Sequence, residues 1–272
     1  MSGDLVVVAW NGTGDPFALI ARDAEPQFQL AAFCYTGEPA ERPEGLQVFA
    51  HQTQCKGEAF FCLIADLEAA GDDWGYVGFI DDDVAISLSG INAMLADARE
   101  HGHASFSASL TPDSHLSHHR FVQRLGGGKR AVDWVEVMAP FLRWDLLRAS
   151  GPLIAGNTSS YGIDQFVWPM LEKALGMAPS VIHDSVAMRH TRPITSDGRV
   201  YANGLTATQE RVVQRARCMA WLRRERPDLV LTPWWFGWVA PWNGPAAFWA
   251  PRLLQPLAGI IRLLRGKTTG AA

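Results

Sequence analysis

The chain has no run of 18 apolar residues, so nothing in it reads as a membrane span. Cysteine is sparse: Cys34, Cys55, Cys62 and Cys218 are the four present, with no C-x-x-C pair. A chain of 272 residues with 48% hydrophobic content can bury a core without disulfide staples, so free thiols in a reducing compartment are expected. The start, Met1-Ser2-Gly3-Asp4, lacks the charged and long apolar regions of a secretory signal, which gives a cytoplasmic expectation. No internal repeat is visible. Basic residues are scarce over residues 1–188, with 11 against 24 acidic ones and a net charge of -13. That balance argues against a nucleic-acid partner, because backbone binding needs a basic track.

The positive charge is at the other end. Residues 189–272 carry a net +9 and six of the 11 tryptophans. Trp234, Trp235, Trp238, Trp242 and Trp249 stand near Arg252, Arg262, Arg265 and Lys267. Such a segment suits a peripheral contact with an anionic membrane surface through residues 234–267. It equally suits a helix packed on the main domain or on a second copy of the chain.

Between these extremes the patterning alternates strand and helix. Leu5–Trp10 is a β-branched run ended by Asn11-Gly12, and residues 28–35 and 46–50 read as further strands. Residues 57–70 carry a helical apolar stripe, and residues 76–80 form a short buried strand. Ser87 or Ser89 can cap a helix reaching about His101. Residues 104–110 read as a strand, 111–130 as a long loop, 132–140 as a strand around Glu136, and 141–150 as a helix. Asp164 opens a helix over 165–175, and 181–188 is the last core strand. An Arg-rich helix spans 207–226, and Pro256 starts a final one. The expected fold is α/β: a mostly parallel sheet covered by helices over residues 1–203, with a helical, Trp-rich extension over 204–272.

The richest chemistry lies at Asp81-Asp82-Asp83, at the exit of the apolar run 76–80. Three adjacent carboxylates repel one another unless a cation or solvent intervenes. A divalent cation on oxygen ligands is one solution and would hold phosphates, pointing to a nucleotide-diphosphate substrate. A solvated acidic turn is the other. In parallel sheets ligands bind beyond the carboxyl ends of the strands. There the turn after Trp10 and Asn11, the Asp triplet and the segment Arg189-His190-Thr191-Arg192-Pro193 can meet. Two Asp oxygens and the His190 imidazole make a sensible incomplete shell for Mn2+ or Mg2+, although a strand-end His bonded locally is the plainer reading. Asp164 reads as a helix cap or as a general base. Glu136, in an apolar stretch, either meets a cation or lines the same acidic cleft. Lys56, at a helix start, can reach a phosphate. His115, His118 and His119 lack the companions of a zinc motif and read as solvated loop residues.

The ordered set 79–83, 135–140, 161–164 and 189–193 resembles the plant and bacterial family of unknown function number 707. That family is similar in layout to nucleotide-sugar glycosyltransferases of the GT-A type, and the likeness runs from about Leu5 to Asn203. The resemblance implies a GT-A-like, Rossmann-like sheet and a metal-dependent glycosyltransferase. Its donor would be a UDP- or GDP-sugar and its acceptor a glycan or a lipid-linked molecule. It makes Asp81 and Asp83 contacts to Mn2+ or Mg2+ and to the sugar nucleotide, and His190 the third ligand. Asp82, Trp10, Asn11 and Lys56 fall in the same cofactor-binding region, and Asp164 becomes the candidate base. Glu136 matches a family motif and is the second catalytic candidate. Ile163 stands where many inverting members carry an acidic residue. Two readings from other classes remain: a non-catalytic sugar- or nucleotide-binding protein on the same scaffold, and a metal-dependent phosphohydrolase.

Overall fold

The computed structural model describes residues 3–193 and 198–230. The Trp-rich stretch and the helix expected from Pro256 lie outside these described residues. By its contacts the chain divides into two units, Met1–Cys218 and Met219–Ala272. Everything below concerns the first unit. In the second, the described residues hold the end of an Arg-rich helix and a short 3-10 turn at Pro227–Leu229.

One mixed sheet organises the first unit. Its strands are β1 (Leu5–Trp10), β2 (Ile20–Ala21), β3 (Gln29–Cys34), β4 (Gln47–Ala50), β5 (Tyr76–Ile80), β6 (Val84–Ser87), β7 (Ser105–Leu110), β8 (Lys129–Ala131), β9 (Phe141–Arg143) and β10 (Val181–His190). They run in the order β2-β6-β10-β7-β9-β5-β1-β3-β4, with β8 on the side of β10. The β4-β3-β1-β5 half is wholly parallel. A strand with parallel neighbours and both faces covered must be apolar throughout, and every residue of β1 and β5 is buried.

Side chains alternate across β5, and each face has its own aromatic row. On one face Phe79 packs 5.0 Å from Phe60 of α1 (Lys56–Ala70), and Phe60 meets Trp168 of α4 (Trp168–Ala174) edge-on at 5.4 Å. On the other, the Tyr76 hydroxyl donates to the carbonyls of Ala98 and His103 at the end of α2 (Leu88–His101). Phe106 lies 5.4 Å from Tyr76 and stacks 5.1 Å from Phe141. Gly78 sits opposite Phe141 in the β5–β9 pair and gives its ring room. The Ser87 side chain caps α2 by accepting from Gly90 N at 3.1 Å, and Gly102, with φ 67°, ends it.

Three expectations are corrected. Residues 132–140 are not a strand. The carbonyls of Pro140 and Met138 accept from Phe79 N and Asp81 N at 3.0 and 2.9 Å, but Pro140 has no N–H to return to the ladder. The segment expected as helix from 141 first pairs with β5 and β7 as β9, and only then becomes α3 (Trp144–Ile154). Asp164 opens a π-helical turn at Ile163–Val167, and the α-helix begins at Trp168. Pro169 cannot donate to a carbonyl one turn back, so the turn before it widens.

A Cβ on Gly78 would lie 2.6 Å from two carbons of the Phe141 ring, which is held by Phe106. Gly78→Ala should therefore destabilise the protein by about 1–3 kcal/mol, as overpacking in a filled core does. A urea midpoint equal to the parent's would mean the ring yields freely.

Candidate functional site

Val84 N donates to the Asp81 carbonyl at 3.1 Å, so the acidic triplet forms a tight turn between β5 and β6. The turn directs β6 antiparallel to the end of β10, pairing Val84 with His190. β10 reaches that partner because its register on β7 breaks between His183 and Ala187. The result sets Asp83 beside His190. The Asp83 backbone carbonyl is clamped by Thr191, whose N and Oγ1 both lie 2.8 Å away.

Every carboxylate of the triplet faces a basic side chain, and Asp82 and Asp83 share Arg192. Asp81 pairs with Lys56, whose ammonium also donates to the Val137 carbonyl at 2.6 Å. Asp82 pairs with Arg192 and accepts from the Tyr35 hydroxyl at 2.9 Å. Asp83 lies 3.2 Å from Arg192 Nε through one oxygen and 3.3 Å from His190 Nε2 through the other. That second oxygen, Oδ1, is buried and has no hydrogen-bond partner. His190 Nδ1 donates to the His115 carbonyl at 2.7 Å, which leaves Nε2 as the nitrogen aimed at Asp83.

Burial and charge set the protonation of these groups. Burial raises Asp81 to about 6, against the opposing pull of Lys56. Burial also acts upward on Asp83, but His190 and Arg192 outweigh it and leave Asp83 below the ordinary carboxylate range. The Asp83 carboxylate facing Nε2 raises His190. Asp164, 6% exposed, is pushed to about 7 by burial although Gln165 N donates to its Oδ1 at 2.8 Å. Glu136 is raised to about 8, by burial first and by the Asp164 carboxylate second. Its Oε2 is sealed from solvent and has no hydrogen-bond partner.

Trp10, Asn11, Asp81, Asp82 and Arg192 line a cavity of about 230 Å³. A second cavity, of about 460 Å³, lies against the same carboxylates and is bounded by Phe33, Tyr35, Cys55, Lys56 and Arg199. Within the first, Trp10 Nε1 donates to the Thr13 carbonyl at 2.8 Å and Asn11 Oδ1 accepts from Thr13 N at 3.0 Å, so both side chains shape the turn. Lys56 points at Asp81, where a phosphate had been the expected target. His115 contributes its backbone carbonyl to the site, and His118 packs edge-on to Trp134 at 5.0 Å. Sequence reasoning missed Tyr35 and Arg199, which carry no local signal. It also missed Glu210, which accepts from Thr158 N and Ser159 N at 2.8 and 2.6 Å and so fixes the loop leading to Asp164. An acidic residue on an otherwise Arg-rich helix was the available hint.

Asp83 and His190 fit a divalent cation. A carboxylate oxygen sealed from solvent faces, at 3.3 Å, an imidazole whose other nitrogen is committed to a carbonyl. Asp81 is turned toward Lys56 and its charge is already offset.

Two outcomes follow from this electrostatics. Lys56→Met leaves the partly buried Asp81 without its cation and should cost about 1–3 kcal/mol, the worth of a hydrogen bond to a charged group. An unchanged denaturation midpoint would show that the pair is dispensable. Asp164 binds a proton more readily folded than unfolded, so its contribution to stability is full below 3.8 and is lost as pH rises toward about 7. Asp164→Asn should flatten the fall of the urea midpoint across that window relative to the parent.

No family model matches the chain, and no curated protein matches it by sequence. Among solved structures it is similar to GalNAc-T7 crystallised with UDP, GalNAc and Mn2+: TM-score 0.52 and 8% identity, over 93% of this chain and 54% of that one. It is also similar to residues 1–349 of S. aureus TarS, at TM-score 0.48 and 12% identity, over 97% of this chain and 87% of that one. The mixed, mostly parallel sheet flanked by helices is the architecture of GT-A glycosyltransferases.

Proposed function

We propose that the chain is a glycosyltransferase that takes a nucleotide-diphosphate sugar as its donor. The observation that carries this reading is the buried Asp83 Oδ1 facing His190 Nε2 at 3.3 Å, at the carboxyl end of β5. The ordered motifs that resemble family 707 support it, as does the Mn2+ and UDP recorded with GalNAc-T7. Asp83 and His190 would hold Mn2+ or Mg2+, which when bound supplies Lewis-acid neutralisation of the departing diphosphate. Lys56 keeps Asp81 from adding uncompensated negative charge beside that diphosphate. Tyr35 and Arg192 hold Asp82.

In the transfer, the bond from the sugar's anomeric carbon to the diphosphate breaks and its electrons leave with the diphosphate. The acceptor hydroxyl oxygen forms the new bond and gives up its proton. Asp164 is the carboxylate assigned to take that proton in an inverting reaction, because its raised proton affinity suits neutral pH. Glu136, raised further, remains protonated near it and adds no second negative charge there. The acceptor is a glycan or a lipid-linked hydroxyl. The basic, Trp-rich composition of residues 234–267 favours an acceptor at a membrane surface.

Calorimetric titration with UDP, GDP and their sugar derivatives, with and without Mn2+, tests the reading. Metal-dependent micromolar binding, about -8 kcal/mol, is expected for one nucleotide class. Asp83→Ala should abolish the metal-dependent part while leaving the thermal midpoint within a few degrees. Binding that survives Asp83→Ala would remove the metal assignment. Binding without transfer to any acceptor would make the protein a sugar-nucleotide receptor, and release of phosphate without an acceptor would make it a phosphohydrolase.

A further inference from the structure

A second cluster of ligating side chains lies at the opposite end of the sheet. Asp97 and His101 are on the last turn of α2, His103 follows it, and His183 is on β10. His190 stands seven residues beyond His183, on the order of 20 Å along the strand. His101 Nδ1 donates to the Asp97 carbonyl at 2.9 Å and lies 3.2 Å from Asp97 Oδ1, which leaves its lone pair on Nε2; His103 Nε2 and His183 Nε2 are 3.2 and 3.7 Å from Asp97 Oδ2. Among the described residues, Asp97, His101 and His103 are the set of three whose ligand atoms come within 4.8 Å of one another.

Three features separate this cluster from a solvated group of surface charges. His183 is 4% exposed, and its Nε2, on the Asp97 side, has no hydrogen-bond partner. The cluster already centres on a cation: the Lys129 ammonium lies 2.7 and 2.9 Å from the two Asp97 oxygens and 3.3 Å from His103 Nε2. The spacings also suit a small cation. Zinc held at about 2.0–2.1 Å places neighbouring ligand atoms about 3.3 Å apart, close to the 3.2 Å that separates Asp97 from His101 and from His103.

We infer that Asp97, His101 and His103, with the buried His183 Nε2 beside Asp97, form a site for a borderline divalent cation of the zinc class, with Lys129 standing in for the metal until it binds. Three imidazoles and one carboxylate favour zinc over the oxygen-seeking ions suited to Asp83. Lys129 is on the short strand β8 and reaches solvent, so its ammonium can withdraw without disturbing the core. The ion would clip the end of α2 to the start of β10. Nothing in this site depends on the assignment of the sugar donor.

The full-length chain, stripped of metal, is titrated with Co2+ while visible absorption is recorded, and Zn2+ is then added. One equivalent of Co2+ should give the intense d–d bands of tetrahedral coordination, and Zn2+ should erase them. His101→Ala, at an exposed position that leaves the fold intact, should weaken binding at least about tenfold, by analogy with loss of one ligand from a metal shell. His183→Gln should do the same, and Lys129→Ala should tighten it. Asp83→Ala should leave the bands unchanged. Absence of tetrahedral bands overturns the site, and so do bands that survive His101→Ala but vanish with Asp83→Ala.

Discussion

One partly buried ammonium holds the candidate site together. Lys56 meets Asp81 directly, donates to the Val137 carbonyl, and acts electrostatically on Asp83, Glu136 and Asp164. Without a cation at that point, carboxylates from three separate segments would face one another in a medium that cannot screen them. The position of Lys56 is in turn fixed by its neighbour. Gly57 N donates to the Thr158 carbonyl at 2.9 Å, and a Cβ there would lie 2.5 Å from the Asn157 carbonyl. The start of α1 is thus pressed onto the loop that Glu210 holds from the other side. That loop leads to Asp164, so the acid and its counter-charge share one scaffold.

Much of the fold was legible because its strands are buried on both faces. Leu5–Trp10 and Tyr76–Ile80 read as continuous apolar runs and are strands. Ser87 was one of two caps considered for α2, and it is the one used. The errors cluster where proline alters the backbone. Residues 132–140 have strand composition, but Pro140 ends reciprocal pairing; Pro169 turns the expected helix start into a π-helical turn. Periodicity reports which face is apolar and carries no information about a missing N–H.

The candidate site was legible in part, for a related reason. Adjacent carboxylates announce themselves in one dimension, and their need for compensation follows from Coulomb repulsion alone. Which cations answer them is a property of the fold. His190 reaches Asp83 through the register break in β10, and Tyr35 and Lys56 reach Asp82 and Asp81 from other strand and helix ends. None of these pairings has a local spacing that a sequence could display. The triplet therefore predicted that counter-charge exists, and the sheet order decided that side chains supply much of it.

The order of those counter-charges along the chain carries a consequence for biosynthesis. A ribosome releases the chain from its amino end, so the acidic turn emerges long before Arg192, which lies 109 positions beyond Asp83. Of the basic side chains that pair with the triplet, Lys56 alone precedes it in the chain. The edge of the nascent sheet next to the turn stays electrostatically open while α2, β7 and α3 are being made. The last long strand, β10, brings His190 and Arg192 together, so a single late arrival both completes the sheet and closes its most highly charged corner.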